Sequence, residues 1–126
     1  MLKTFLFLSV LIISVSAKDR LKVGECLHTN QELLSAGKSC FKLIMRGDGN
    51  LVIYRKSNGA EIWSSKTAGT CSNRACMQKD GNFVLYDCHN KPTWNSNTRG
   101  NGKFSVLLKN DGNLIILERT PTKPGK

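Results

Sequence analysis

The chain has 126 residues, 40% of them hydrophobic, with 19 Lys and Arg against 9 Asp and Glu, a formal charge of +10 and five cysteines. That length is one domain's worth, and outside its first segment no run approaches the roughly 20 apolar residues a membrane span needs. The basic balance invites nucleic acid or an anionic membrane as partner, but Lys and Arg are scattered through turns and strand ends, which argues against a dedicated site for either, and with no spanning run no membrane insertion is expected.

In chain order, Met1-Leu-Lys3 supplies a positive start, Thr4 to Ser14 is almost all Phe, Leu, Ile and Val, and Val15-Ser16-Ala17 offers small residues at a cleavage position. This reads as a secretory signal over residues 1–17, cut after Ala17, with a secreted, extracellular domain over residues 18–126. All five cysteines, Cys26, Cys40, Cys71, Cys76 and Cys88, lie in the exported part. An oxidising compartment favours disulfides. Cys26 and Cys40 bracket the first loop and are the favoured pair. Two of Cys71, Cys76 and Cys88 then pair, and the odd thiol is either free and buried or joins two chains.

Only Gln31–Ala36 has the makings of a helical turn. Beyond it come short alternating apolar runs broken by Gly, Asn, Asp and Ser: Phe41–Met45, Leu51–Tyr54, Phe83–Tyr86, Phe104–Leu108 and Leu114–Leu117. Short strands at near-regular spacing predict an all-β fold. The same phrase recurs three times, as Arg46-Gly-Asp48-Gly-Asn50-Leu-Val52-Ile-Tyr54, Gln78-Lys-Asp80-Gly-Asn82-Phe-Val84-Leu-Tyr86 and Lys109-Asn-Asp111-Gly-Asn113-Leu-Ile115-Ile-Leu117. A period of about 30 residues marks repeated supersecondary units around a shared core. In each, a strand enters, an Asp-Gly turn reverses it and an apolar strand leaves. In the first two a Trp strand closes the unit, at Trp63 and Trp94, both expected in the core. The C-terminal stretch from Arg119 to Lys126 is Pro-rich and basic and reads as a flexible end.

Gln78, Asp80, Asn82, Val84 and Tyr86 alternate along the second repeat, which puts them on one face of a strand. Straight, they would span about 26 Å at about 3.3 Å per residue; the Asp-Gly turn brings Gln78 back toward Tyr86. Asp80 accepts, Gln78 and Asn82 donate and accept, and Tyr86 carries a hydroxyl. Val84 adds an apolar patch. This inventory suits the adjacent hydroxyls of a saccharide better than a phosphate, which asks for Arg, Lys or a Gly-rich helix start. His28 and His89 are isolated, with no pairing at zinc spacing. Each repeat brings one Asp, where glycoside hydrolysis needs two facing acids, so no catalysis is expected.

Gln-x-Asp-x-Asn-x-Val-x-Tyr resembles the signature of the monocot mannose-binding, or bulb-type, lectins. The resemblance runs from Gly24-Glu25 to about Glu118 and includes the Trp-x-Ser strands, with Asn97-Thr98-Arg99-Gly100 beyond the second. It implies a β-prism II of three four-stranded antiparallel sheets with pseudo-threefold symmetry, spread over residues 18–126 with the last repeat truncated. It also implies up to one mannose site per repeat, with mannose-containing glycans or glycoproteins as partners and neither metal nor other cofactor. In the family Asp and Asn hold the axial O2, Gln the O3 and Tyr the O4, while Val packs on the ring.

Carried onto this chain, Gln78, Asp80, Asn82, Val84 and Tyr86 match in full. The first repeat keeps Asp48, Asn50, Val52 and Tyr54, but Arg46 replaces Gln, which weakens the site or re-tunes it toward an acidic or substituted sugar. The third keeps Asp111 and Asn113, with Lys109 and Leu117 replacing Gln and Tyr, and is expected to be silent. Family members exchange a C-terminal strand between subunits. Here no Trp follows Leu117, so that route to a homodimer or higher oligomer is left open. The expected function is non-covalent recognition of α-mannose-type glycans through the second repeat. Its rival is a cationic antimicrobial or defence protein on the same fold, with sugar binding largely lost.

Overall fold

A computed structural model describes residues 18–119; the expected signal over residues 1–17 and most of the basic end lie outside the described residues. The Asp-Gly turns make the hairpins the sequence predicts. In the first repeat β4 (Phe41–Met45) and β5 (Leu51–Arg55) pair antiparallel, and β6 (Ala60–Ser64) returns along β5. In the second, β7 (Ser72–Met77), β8 (Phe83–Asp87) and β9 (Pro92–Asn95) repeat that order, and the third supplies β10 (Lys103–Leu108) and β11 (Leu114–Arg119).

Each sheet takes its outermost strand from the N-terminal stretch. Arg20–Lys22 (β1) joins β10, Cys26–His28 (β2) joins β7 and Glu32–Leu34 (β3) joins β4, all antiparallel. The sheets therefore run β3-β4-β5-β6, β2-β7-β8-β9 and β1-β10-β11. Two have the expected four strands, and the third has three among the described residues. Gln31–Ala36 holds strand β3 where a helical turn was expected. Leu33 at its centre is fully buried, and the core contact overrides a weak local preference.

The inner faces meet in one core. β4, β7 and β10 contribute Leu43, Ala75 and Val106, while β5 and β8 contribute Leu51, Ile53, Phe83 and Leu85. The three N-terminal strands bury only their middle residues, Leu21, Leu27 and Leu33. Trp63 and Trp94 are half-buried and pack against this core edge-to-face, with ring centroids 5.5 Å apart. With Ile53, Leu114 and Ile116 they line a groove of about 480 Å³, so the two rings border the centre without being sealed in it.

The disulfide expected between Cys26 and Cys40 does not form. Cys26 on β2 lies opposite Cys76 on β7 and bonds to it, with Cα atoms 4.0 Å apart. Cys71 and Cys88 close the far end of the β7–β8 hairpin. Cys40 precedes β4 in another sheet and is the free, exposed thiol, not the buried one considered above. Sheet order, and not closeness in sequence, sets these pairs.

The burial pattern of β2 gives a stability test. Leu27→Ala should cost about 2–5 kcal/mol, as for other buried Leu truncations, and lower Tm by at least about 8 °C in a domain of this size. His28→Ala, on the exposed neighbour, should stay within about 0.5 kcal/mol. Equal, small effects in thermal denaturation would show that β2 is not held through its leucine.

Candidate functional site

The three Asp-Gly-Asn segments share one backbone arrangement. The N–H of residue 46, 78 or 109 donates to the carbonyl of Asn50, Asn82 or Asn113 at 2.9, 3.1 and 2.8 Å. The N–H of the motif glycine donates back to the carbonyl of residue 46, 78 or 109 at 3.1, 3.1 and 3.0 Å. This is a three-residue hairpin loop whose last member takes a positive φ. For Gly81 that φ is +82°, and an added Cβ would stand 2.7 Å from the Phe104 ring and 2.8 Å from the Thr98 carbonyl. Only glycine fits there.

In every repeat one oxygen of the aspartate is consumed by the turn. Oδ1 of Asp48, Asp80 and Asp111 accepts from the N–H of Asn50, Asn82 and Asn113 at 3.1, 3.0 and 3.0 Å. The turn role of Asp-Gly-Asn is therefore real, and a ligand role rests on what becomes of Oδ2.

In the second repeat Asp80 Oδ2 accepts no hydrogen bond among the described residues. Its nearest cation is the exposed Arg99, 3.9 Å away. Across the folded run, Gln78 Nε2 donates to Tyr86 Oη, so the turn brings together the two ends that the sequence placed far apart. Asn82 is only 2% exposed. Its Oδ1 accepts from Ser96 Oγ at 3.2 Å and from the Thr98 N–H at 3.4 Å, which orients its amide nitrogen for donation. Among the described residues no buried side-chain nitrogen or oxygen lacks a partner. Val84 is buried, so it offers a ligand ring little area. A register shift between β8 and β9 falls at Leu85/Tyr86, as one between β5 and β6 falls at Ile53/Tyr54. Such bulges re-aim a side chain. Arg74, opposite Tyr86 on β7, stacks 4.9 Å from its ring centroid.

The first repeat has the same frame, already filled. Asn50 Oδ1 is held by Ser65 Oγ and the Thr67 N–H, both at 3.2 Å. Arg46, however, donates to Asp48 Oδ2 at 2.5 Å, Tyr54 Oη at 3.0 Å and Glu61 Oε1 at 2.9 Å. The hydrogen bond and electrostatic interaction with Tyr54, and behind them Asp48, hold this guanidinium above its usual pKa. Val52 is fully buried.

In the third repeat Asp111 Oδ2 accepts from Asn113 Nδ2 at 3.1 Å and faces Lys109 Nζ at 3.4 Å. The Asn113 N–H first, and Lys109 behind it, hold the Asp111 carboxyl below the usual range. Asn113 is exposed, and no Ser and Thr pair clamps it among the described residues. Its amide is turned onto its own aspartate.

Sequence reasoning missed the clamp. Thr67 Oγ1 and Thr98 Oγ1 each donate to the motif glycine's carbonyl, Gly49 and Gly81, at 2.6 Å. Ser65 and Ser96 bond these threonines at 2.7 Å. The signal was present as Ser-x-Thr two residues past each Trp, Ser65-Lys-Thr67 and Ser96-Asn-Thr98.

No family model matches the chain. The mannose-specific lectin of Aloe arborescens is 38% identical over 97 residues, covering 75% of this chain and 84% of the relative. The B-type lectin plumieribetin of Scorpaena plumieri is 34% identical over 104 residues, covering 81% and 83%. The solved mannose-specific agglutinin of snowdrop, Galanthus nivalis, complexed with methyl-α-D-mannoside, matches with a TM-score of 0.70 at 38% identity, over 86% of this chain and 99% of that one.

The clamp can be tested without a ligand. Thr98→Val keeps the shape and removes the hydroxyl bonded to Gly81 and Ser96, so it should cost about 1–3 kcal/mol. A denaturant midpoint indistinguishable from wild type would show that the clamp holds nothing in place.

Proposed function

The chain belongs to the bulb-type mannose-binding lectin family, and from that premise we propose that it is a secreted lectin that binds α-mannose-type glycans through its second repeat. The relatives named above are lectins, which bind sugars without transforming them. The observation that carries the choice of repeat is the fate of Oδ2. It is taken by Arg46 in the first repeat and by Asn113 beside Lys109 in the third. In the second it meets only the exposed Arg99 at 3.9 Å.

The chemistry follows from that vacancy. A sugar hydroxyl donates to Asp80 Oδ2 while accepting from the Asn82 amide, a paired exchange that an axial O2 satisfies. Gln78 and Tyr86, already bonded to each other, take the neighbouring O3 and O4. Each hydrogen bond to the carboxylate is charge-assisted and stronger than a neutral one. Water competes for Asp80, whose side chain is 48% exposed, so one site should bind a monosaccharide at about millimolar Kd, or about 4 kcal/mol. Useful strength then comes from several chains meeting clustered glycans.

Retention on immobilised mannan at physiological salt is the test. Wild type should be held, then eluted by free mannose and not by galactose. Asp80→Ala should lose about 1.5–3 kcal/mol of binding, enough to abolish retention. Asp80→Asn, which keeps the turn acceptor and replaces Oδ2 by a donor, should fail too. Retention of Asp80→Ala equal to wild type would make the assignment wrong. Release by salt alone, with mannose ineffective, would support the cationic rival.

A further inference from the structure

We infer that the outer face of the first-repeat sheet, around Arg46, binds an anionic saccharide, one carrying sulfate or uronate groups. The inference concerns a different repeat from the mannose reading and stands or falls without it.

Arg46 first closes this face to a neutral hexose. Its guanidinium occupies Asp48, Tyr54 and Glu61 together, and Tyr54 Oη also donates to Glu61 at 3.3 Å. A neutral hydroxyl would have to displace charge-assisted bonds with weaker ones. Glu61 has no counterpart in the second repeat, where Pro92 stands opposite the motif tyrosine.

Beside this knot lies a concavity of about 500 Å³ lined by Lys42, Ile44, Arg46, Tyr54, Arg55 and Lys56. Lys42 stands over the Tyr54 ring at 5.7 Å and Arg55 over Phe41 at 5.9 Å. Among the described residues neither of these cations nor Lys56 has a carboxylate partner within 4.0 Å. Arg46 with Asp48 and Glu61 leaves one net negative charge, against three positive ones from Lys42, Arg55 and Lys56. The surplus is cationic and is held at the mouth of a pocket.

The change is specific to this repeat. Where the first has Arg46, Arg55 and Lys56, the second has Gln78, Asp87 and Cys88. Lys42 is replaced there by Arg74, which is tied to Asn73 and Asn90 at 3.0 and 2.8 Å. What the first repeat keeps is the lectin frame: the clamped Asn50, and Tyr54 with Ile44 as a half-buried apolar floor on which a ring can lie. A floor for ring faces rimmed by unpaired cations fits a sugar bearing anions better than a bare phosphate or sulfate ion.

The probe is a heparin-derived hexasaccharide, titrated into the full domain at physiological salt. Lys42→Gln/Lys56→Gln should weaken binding at least about tenfold, whereas Lys22→Gln/Lys91→Gln, with the same loss of charge elsewhere, should change it less than about twofold. Mannan retention should be unaltered in both, which separates failure here from failure at Asp80. Equal weakening by the two double variants would overturn the proposal, because diffuse charge would then suffice. So would equally tight binding of a dT hexanucleotide, or full competition by millimolar inorganic sulfate.

Discussion

The placement of the motif side chains on the outer faces depends on one small constraint, the hydrogen bond that an asparagine N–H donates to Oδ1 of the aspartate two residues before it. It appears in all three repeats at nearly the same length. With the positive-φ glycine between them, it fixes a three-residue loop whose strands leave in a set register. The loop bends a run that would otherwise be extended, and so places the groups at positions 78 and 86, or 46 and 54, side by side. Because the turn uses only one carboxylate oxygen, a site can be kept or lost without touching the fold. The second oxygen is free to face solvent, an arginine or the chain's own amide, and the three repeats show one of each.

That separation explains how one frame supports divergent surfaces. Inside, the repeats are nearly equivalent, with Leu43, Ala75 and Val106 at the centre of corresponding strands and a leucine from β1, β2 or β3 beside each. Outside, single substitutions decide the chemistry. Gln78 bridges to Tyr86 and leaves Asp80 Oδ2 open, whereas Arg46 in the same position spans Tyr54, Asp48 and Glu61. Lys109 with Leu117 removes the bridge altogether. Such changes fall on half-buried or exposed groups of the outer faces and not on the buried core, so drift on one face leaves the core intact.

The hairpins and the all-β class were legible because Asp-Gly turns and alternating apolar strands are strong local signals, and the second repeat carried a complete motif. The N-terminal strands were not. Each is three residues long with one buried leucine, too short to show a period, which leaves Gln31–Ala36 with no local signal beyond that of a helical turn. The disulfides depended on which strands become neighbours, so Cys26 found Cys76 across the β2–β7 pair and Cys40 was left alone. Inequality among the repeats was visible in Arg46 and Lys109. What the sequence did not show is that Arg46 would be met by Glu61, a residue outside the motif, or that Ser96 and Thr98 would hold Asn82 from behind.

The central claim is that a vacant Oδ2 marks the working mannose site. The most direct measurement is a titration of the isotope-labelled domain with methyl α-mannoside, followed through the backbone amide resonances of all three turns. The account predicts saturable shifts at Asp80, Gly81 and Asn82, with Asp48–Asn50 and Asp111–Asn113 unmoved at the same sugar concentration. Comparable shifts in the first or third turn, or none in the second, would contradict it.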